Sequence, residues 1–116
     1  DHETRIDALE TAPTPAPIQT EADATHDLVA ADAAFYTRYT NAAGCVIAVP
    51  LEATESIPVG KEFHGNGTLG QIEFDPEGGV TVNTAHTLFT RAAMSVFTLK
   101  KIATNEWDLF DDFEPA

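Results

Sequence analysis

From residue 24 onward, short β-branched and aromatic runs are punctuated by Gly, Pro, Asn and Asp about every ten residues, which predicts a small all-β domain. Side chains alternate across a strand, so in Gln71-Ile72-Glu73-Phe74-Asp75 the apolar Ile72 and Phe74 share one face. In Val96-Phe97-Thr98-Leu99-Lys100-Lys101-Ile102, Phe97 and Leu99 share another. The pattern predicts strands over 25–29, 34–40, 45–49, 62–65, 71–75, 81–83, 96–102 and 107–110. Continuing the alternation past Leu99 would turn Lys101 inward and Ile102 outward, so a phase slip and a bulge are expected near Lys100. Ala30-Ala31-Asp32-Ala33 carries the one helical signal in this region.

The turn residues extend this picture. Asn41-Ala42-Ala43-Gly44 and Pro76-Glu77-Gly78-Gly79 read as hairpin turns, since each supplies residues that tolerate positive φ between two strand-like runs. Pro58 in Ile57-Pro58-Val59-Gly60 opposes central pairing and marks an edge or a corner. The expected architecture is a small antiparallel sandwich or barrel.

Ahead of it the character differs. Residues 1–10 have helix-forming composition with Ile6 and Leu9 on one face, too short to hold a helix alone. Thr11-Ala-Pro-Thr-Pro-Ala-Pro17 favours an extended, semi-rigid spacer. The organisation is therefore read as an N-terminal anchoring arm over residues 1–20 and one β-module over 21–116. A module of that size buries only about two-thirds of the surface its unfolded chain exposes, and neighbouring subunits would help it.

Charge narrows the partners. With 19 acidic residues against 6 basic ones, the net charge of −13 repels phosphate backbones and anionic lipid, so neither nucleic acid nor membrane is an expected partner. No apolar stretch approaches the ~20 residues of a membrane span, and the acidic start lacks the basic and apolar regions of a signal peptide. The single cysteine, Cys45, sits in an apolar run, reads as a buried small hydrophobe, and fits a reducing cytoplasm.

Candidate chemistry is sparse. His2, His26, His64 and His86 show no metal-ligand spacing, and of these His64, beside Gly65-Asn66-Gly67, is the best placed to meet a ligand. Neither Ser56 nor Ser95 sits in Gly-x-Ser-x-Gly. Gly65-Asn66-Gly67-Thr68-Leu69-Gly70 matches G-x-G-x-x-G only superficially, because Gln71 opens a strand where a dinucleotide fold needs a helix; the glycines are expected to supply positive φ at a corner. Asp108, Asp111, Asp112 and Glu114 gather acid without the ordered calcium-loop pattern. Trp107 and Phe110 read as core or subunit-interface residues. No enzymatic activity, cofactor or metal is expected.

The order of features is more informative than any one. Leu28, Asp32, Tyr36 and Asn41 precede an apolar strand ending at Pro50. Ile57-Pro58-Val59-Gly60, the 65–74 run, Gly78-Gly79-Val80-Thr81-Val82-Asn83 and Trp107-Asp108-Leu109 follow. Over residues 24–110 this resembles a small β-module of tailed-phage virion proteins: tail fibres, tailspikes, baseplate appendages, and head fibres or decorations. Where such modules place glycine and aspartate after the last strand, Phe110-Asp111-Asp112-Phe113 stands here. The resemblance implies a homotrimeric virion component assembled in the host cytoplasm, with the arm bound to the major capsid protein or another virion protein. The shortness of the chain favours a capsid decoration or head fibre over a tail fibre. The alternative is a receptor-binding tip or tail-fibre module that contacts host glycan or protein through loops such as His64 to Leu69.

Overall fold

The computed structural model describes residues 17–84, 87–90 and 94–111. The helix fragment expected over 1–10, His2, His86, Asp112 and Glu114 fall outside them. The strands are β1 (Ile18–Glu21), β2 (Thr25–Asp27), β3 (Tyr36–Tyr39), β4 (Cys45–Val49), β5 (Glu62–Gly67), β6 (Ile72–Pro76), β7 (Thr81–Asn83), β8 (Val96–Ala103) and β9 (Glu106–Asp111), with a 3-10 turn at Ala30–Ala34 between β2 and β3. The domain is all-β, as the alternation predicts, and the helical turn falls where its alanines stand.

The pairing differs from expectation. A six-stranded sheet runs β1-β3-β5-β8-β9-β7 and a three-stranded sheet runs β2-β4-β6. Through β6 each strand pairs with the strand two along the chain, in parallel, so the backbone winds through three coils with one strand in each sheet. Parallel partners need a crossover, and here the intervening strand in the other sheet provides it. Among the described strands only β8, which pairs with β5 and β9, runs antiparallel to its neighbours, while β7 lies parallel to β9 and Phe89 makes an isolated antiparallel bridge to Glu73 of β6. The expected antiparallel sandwich or barrel is thereby corrected to a solenoid-like winding closed by one hairpin.

The predicted hairpins fail for the same reason. Residues 41–44 join β3 to β4, and residues 77–80 join β6 to β7, in each case carrying the chain from one sheet to the other. The tight hairpin is at Thr104-Asn105, between β8 and β9, with Asn105 at φ 59°. At the N-terminus, Ile18 to Glu21 join the larger sheet against β3, so the module begins inside the segment assigned to the arm.

Both sheets turn apolar faces onto one core. Ile47, Val49, Ile72 and Phe74 come from the smaller sheet; Tyr39, Phe63, Phe97, Leu99, Trp107 and Leu109 come from the larger one. Phe74 meets Phe97 edge-on across the gap at 4.9 Å between centroids, and Phe63 lies 5.7 Å from Trp107. Trp107 is core, as expected, whereas Phe110 is 57% exposed. Ile57 is buried in the corner that Pro58 was read to mark.

Lys101 does point inward. Its Nζ donates to Glu52 Oε1 at 2.5 Å and to the Ile57 carbonyl at 2.7 Å, and it stands 5.9 Å from the Trp107 ring centre. The alternation holds through Lys101, and the register shift comes after it, between Lys101 and Ala103, rather than at Lys100.

The glycine run also works differently from expectation. Positive φ occurs at Gly44, Gly60 and Gly79, not at Gly65, Gly67 or Gly70. Gly70 is required by close approach: a Cβ there would strike the backbone of Gly44, in the corner of the preceding coil. The corners of successive coils are thus stacked backbone to backbone.

Candidate functional site

The outward side chains of the larger sheet form continuous rows, because register partners lie side by side across strands. Ile18, Tyr36, His64, Thr98 and Phe110 make one row over β1, β3, β5, β8 and β9. Ile18 and Phe110 are exposed at its two ends. On one side lies the row Glu62, Lys100, Asp108 and Asn83; on the other, Arg38, Asn66 and Val96. Exposed Met94, at φ 69°, and Val96 extend the apolar character beside Asn66, whose buried Oδ1 has no hydrogen-bond partner.

The polar groups of this face hold one another in place. His64 Nδ1 is 3.0 Å from Thr98 Oγ1 and its Nε2 is 3.2 Å from Glu62 Oε1. Lys100 Nζ lies 3.4 Å from Glu62 Oε2. Asn83 Nδ2 donates to Glu106 Oε2 and Asp108 Oδ1, so Asp108, read as part of an acidic end, belongs to an ordered row. His64 to Gly67 lie within β5, between β3 and β8, and so are not the recognition loop expected over 64–69. Only Thr68 and Leu69 of that segment occupy a corner.

The smaller sheet presents an unlike surface. Its outward positions are Thr25, Asp27, Val46, Ala48, Glu73 and Asp75, three acids with no base among them. At one end of this face, Leu28, Val29, Ala48 and Pro50 floor a small recess. Two of the three carboxylates that line it are engaged: Glu55 accepts the Ala30 amide, and Glu77 accepts the Leu51 amide and the Thr54 hydroxyl.

His26, the residue that the pattern of the chain left without a role, sits inside the first coil. Its Nε2 is 2.8 Å from Asp32 Oδ2 and its Nδ1 is 3.1 Å from Glu21 Oε2. The Asp32 carboxylate also accepts the Val29 amide and the Gln19 side-chain amide, and Gln19 donates on to Thr37. The hydrogen bond to Asp32 raises the His26 pKa above its ordinary 6.5 against the opposing effect of burial, with Glu21 adding to the rise. Burial pushes Asp32 up, but His26, Val29 and Gln19 together hold it below 3.8. With both ring nitrogens on carboxylates, His26 fastens β1, β2 and the 3-10 turn together, an arrangement that spacing along the chain could not reveal.

A pH dependence follows. The raised His26 pKa contributes stability that is fully present below pH 6.5 and lost as pH rises through the folded value. The lowered Asp32 pKa contributes stability present above 3.8 and lost as pH falls through its folded value. The first coil is therefore expected to be held tightest between those limits. Amide exchange, corrected for its intrinsic pH dependence, should show β1 and β2 opening more readily above the His26 titration while β5 and β8 do not change. Uniform protection of all four strands would refute the assignment.

Cys45 is buried, its thiol pushed up to about 11 by burial and by Glu21 and Asp23, and Sγ donates to its neighbour's carbonyl, so it packs as a core residue rather than a nucleophile. Among the described residues no group of His, Cys, Asp and Glu is arranged to hold a metal ion, and no helix is long and apolar enough to cross a membrane. No protein-family model matches the chain, and neither the curated proteins nor the solved structures include a match.

Proposed function

We propose that this chain is a non-enzymatic structural protein of a tailed-phage virion, a capsid decoration or head fibre that assembles with copies of itself. Residues 1–16 anchor it to the major capsid protein or another virion protein, and the β-module, which begins with β1, is displayed. The observation that carries this reading is the contrast between the two outer faces. One bears a mixed row, with Ile18, Tyr36 and Phe110 flanking the His64–Thr98 pair and opposite charges beside it, suited to contact with protein; the other bears Asp27, Glu73 and Asp75 and suits the medium around a particle. Copies with a net charge of −13 would repel through the second face, so assembly falls to the first.

The sequence resemblance supports the virion setting and implies three copies. The location of His26 and Cys45 supports a non-catalytic reading, since the imidazole is committed to two carboxylates and the thiol to the core.

The test is association with particles assembled without the protein and then supplied with it. The full chain is expected to bind them saturably, while a chain starting at Pro17, verified as folded by circular dichroism, is expected to lose binding. Full retention of binding by the shortened chain would overturn the role of the arm. Failure of the full chain to bind any virion part would overturn the function.

A further inference from the structure

We propose that the outer face of the six-stranded sheet is a contact between two copies of this chain, related by a two-fold axis that runs between β5 and β8 and parallel to them. This rests on reading that face as an assembly face, and it sets the number of copies meeting there at two rather than the three implied by resemblance.

When two sheets meet face to face about an axis along their strands, left and right exchange while height along the strand is kept. An axis between β5 and β8 therefore lays β5 over the second copy's β8, and β3 over its β9. Glu62 and Lys100 are register partners across β5 and β8, so each Glu62 then faces a Lys100 of the other copy. Four charges meet with alternating sign. Tyr36, His64, Thr98 and Phe110 share one row, and the same operation sets Tyr36 over Phe110 at both ends. An isologous contact requires this self-complementarity: where residue i meets j, j must meet i.

The competing two-fold arrangement lacks it. An axis across the strands at the His64 row would set Glu62 over Asn66 and Lys100 over Val96, with no opposite charge at either place. The smaller sheet offers no alternative, because a two-fold contact there would bring Asp27, Glu73 and Asp75 against their own copies.

Size sets the strength. Six strands at ~4.8 Å spacing and about five residues at ~3.3 Å give a face on the order of 500 Å². A standard interface buries ~800 Å² per partner, so this contact is weak and reversible.

The experiment is sedimentation equilibrium of the full 116-residue chain over a concentration series reaching the millimolar range. The mass is expected to rise from one chain to two. Lys100→Glu would gather four carboxylates at the centre of the contact and lower the association constant roughly tenfold or more. Combining Glu62→Lys with Lys100→Glu exchanges the charges and should restore dimerisation; both positions are on the surface, and circular dichroism checks that each variant is folded. A monomer at all concentrations, a trimer, or a double variant that stays monomeric would overturn the proposal. Particle binding is a separate readout. A monomer that still binds particles refutes the two-fold contact alone, and a dimer that binds none refutes the virion function alone.

Discussion

Lys101→Ala is expected to lower the thermal unfolding midpoint by roughly 12–24 °C, measured by circular dichroism at neutral pH. Lys101 is 1% exposed and holds three partners together: the Glu52 carboxylate, the Ile57 carbonyl and the Trp107 ring. Truncation strands the Ile57 carbonyl away from solvent and leaves space beneath Trp107. Truncating a long side chain that is buried in the core, with the Ile57 carbonyl left unpaired, costs about 3 kcal/mol, and each kcal/mol moves the midpoint of a small domain by about 4–8 °C. Lys101→Met should cost less, since it keeps the packed stem and loses only the ammonium. Hydrogen bonding to Lys101 lowers the Glu52 pKa below 4.5, so this contribution is present above 4.5 and fades as pH falls through the folded value. A Lys101→Ala variant that melts with the parent protein would show that the ammonium is not held in the core.

Gly70→Ala is the second large effect, with an expected loss of at least 3 kcal/mol in urea unfolding. The added methyl would enter the backbone of Gly44, where no flexible side chain can yield. Gly44 has its own constraint, since φ is 93° and a Cβ would meet the Gln71 carbonyl. Because both corners are backbone against backbone, relief requires the second and third coils to separate. Gly78→Ala is the control: a Cβ there meets nothing within 4 Å, and its stability should scarcely change. Equal losses at positions 70 and 78 would remove the corner-stacking account.

Most of the strands were legible in the sequence because alternation reports burial, and burial depends on a face rather than on a partner. The pairs Ile72 and Phe74, and Phe97 and Leu99, are inward whichever strand lies alongside. The topology was not legible, because a turn signal says that the chain bends and not into which sheet. Asn41 to Gly44 would suit a hairpin; what makes it a corner is Gly70, in the next coil. The strand β1 was hidden by the prolines before it, and its pairing with β3 makes it an end strand of the larger sheet among the described residues. At the candidate site, His64 was singled out as best placed to meet a ligand; it stands within β5, and its row neighbours Tyr36, Thr98 and Phe110 come from three other strands that no spacing along the chain connects. His26 was passed over because its partners, Glu21 and Asp32, converge only once the first coil closes.

The winding of the chain also orders events during synthesis. As β3 and then β5 leave the ribosome, the strand each must pair with has already emerged, and the same holds for β4 and β6 in the other sheet. Three coils can therefore be laid down in the direction of translation. The far side of β5 has no partner until β8 appears, and until then Phe63 lacks the wall that Leu99 and Trp107 later supply. A nascent chain in which β5 to β7 have emerged while β8 is still inside the ribosome carries a bare strand edge and an open core, the condition in which chaperones bind and β-rich chains aggregate. Emergence of the β8–β9 hairpin is the closing event, since only then does β5 gain its second neighbour and Phe63 its wall.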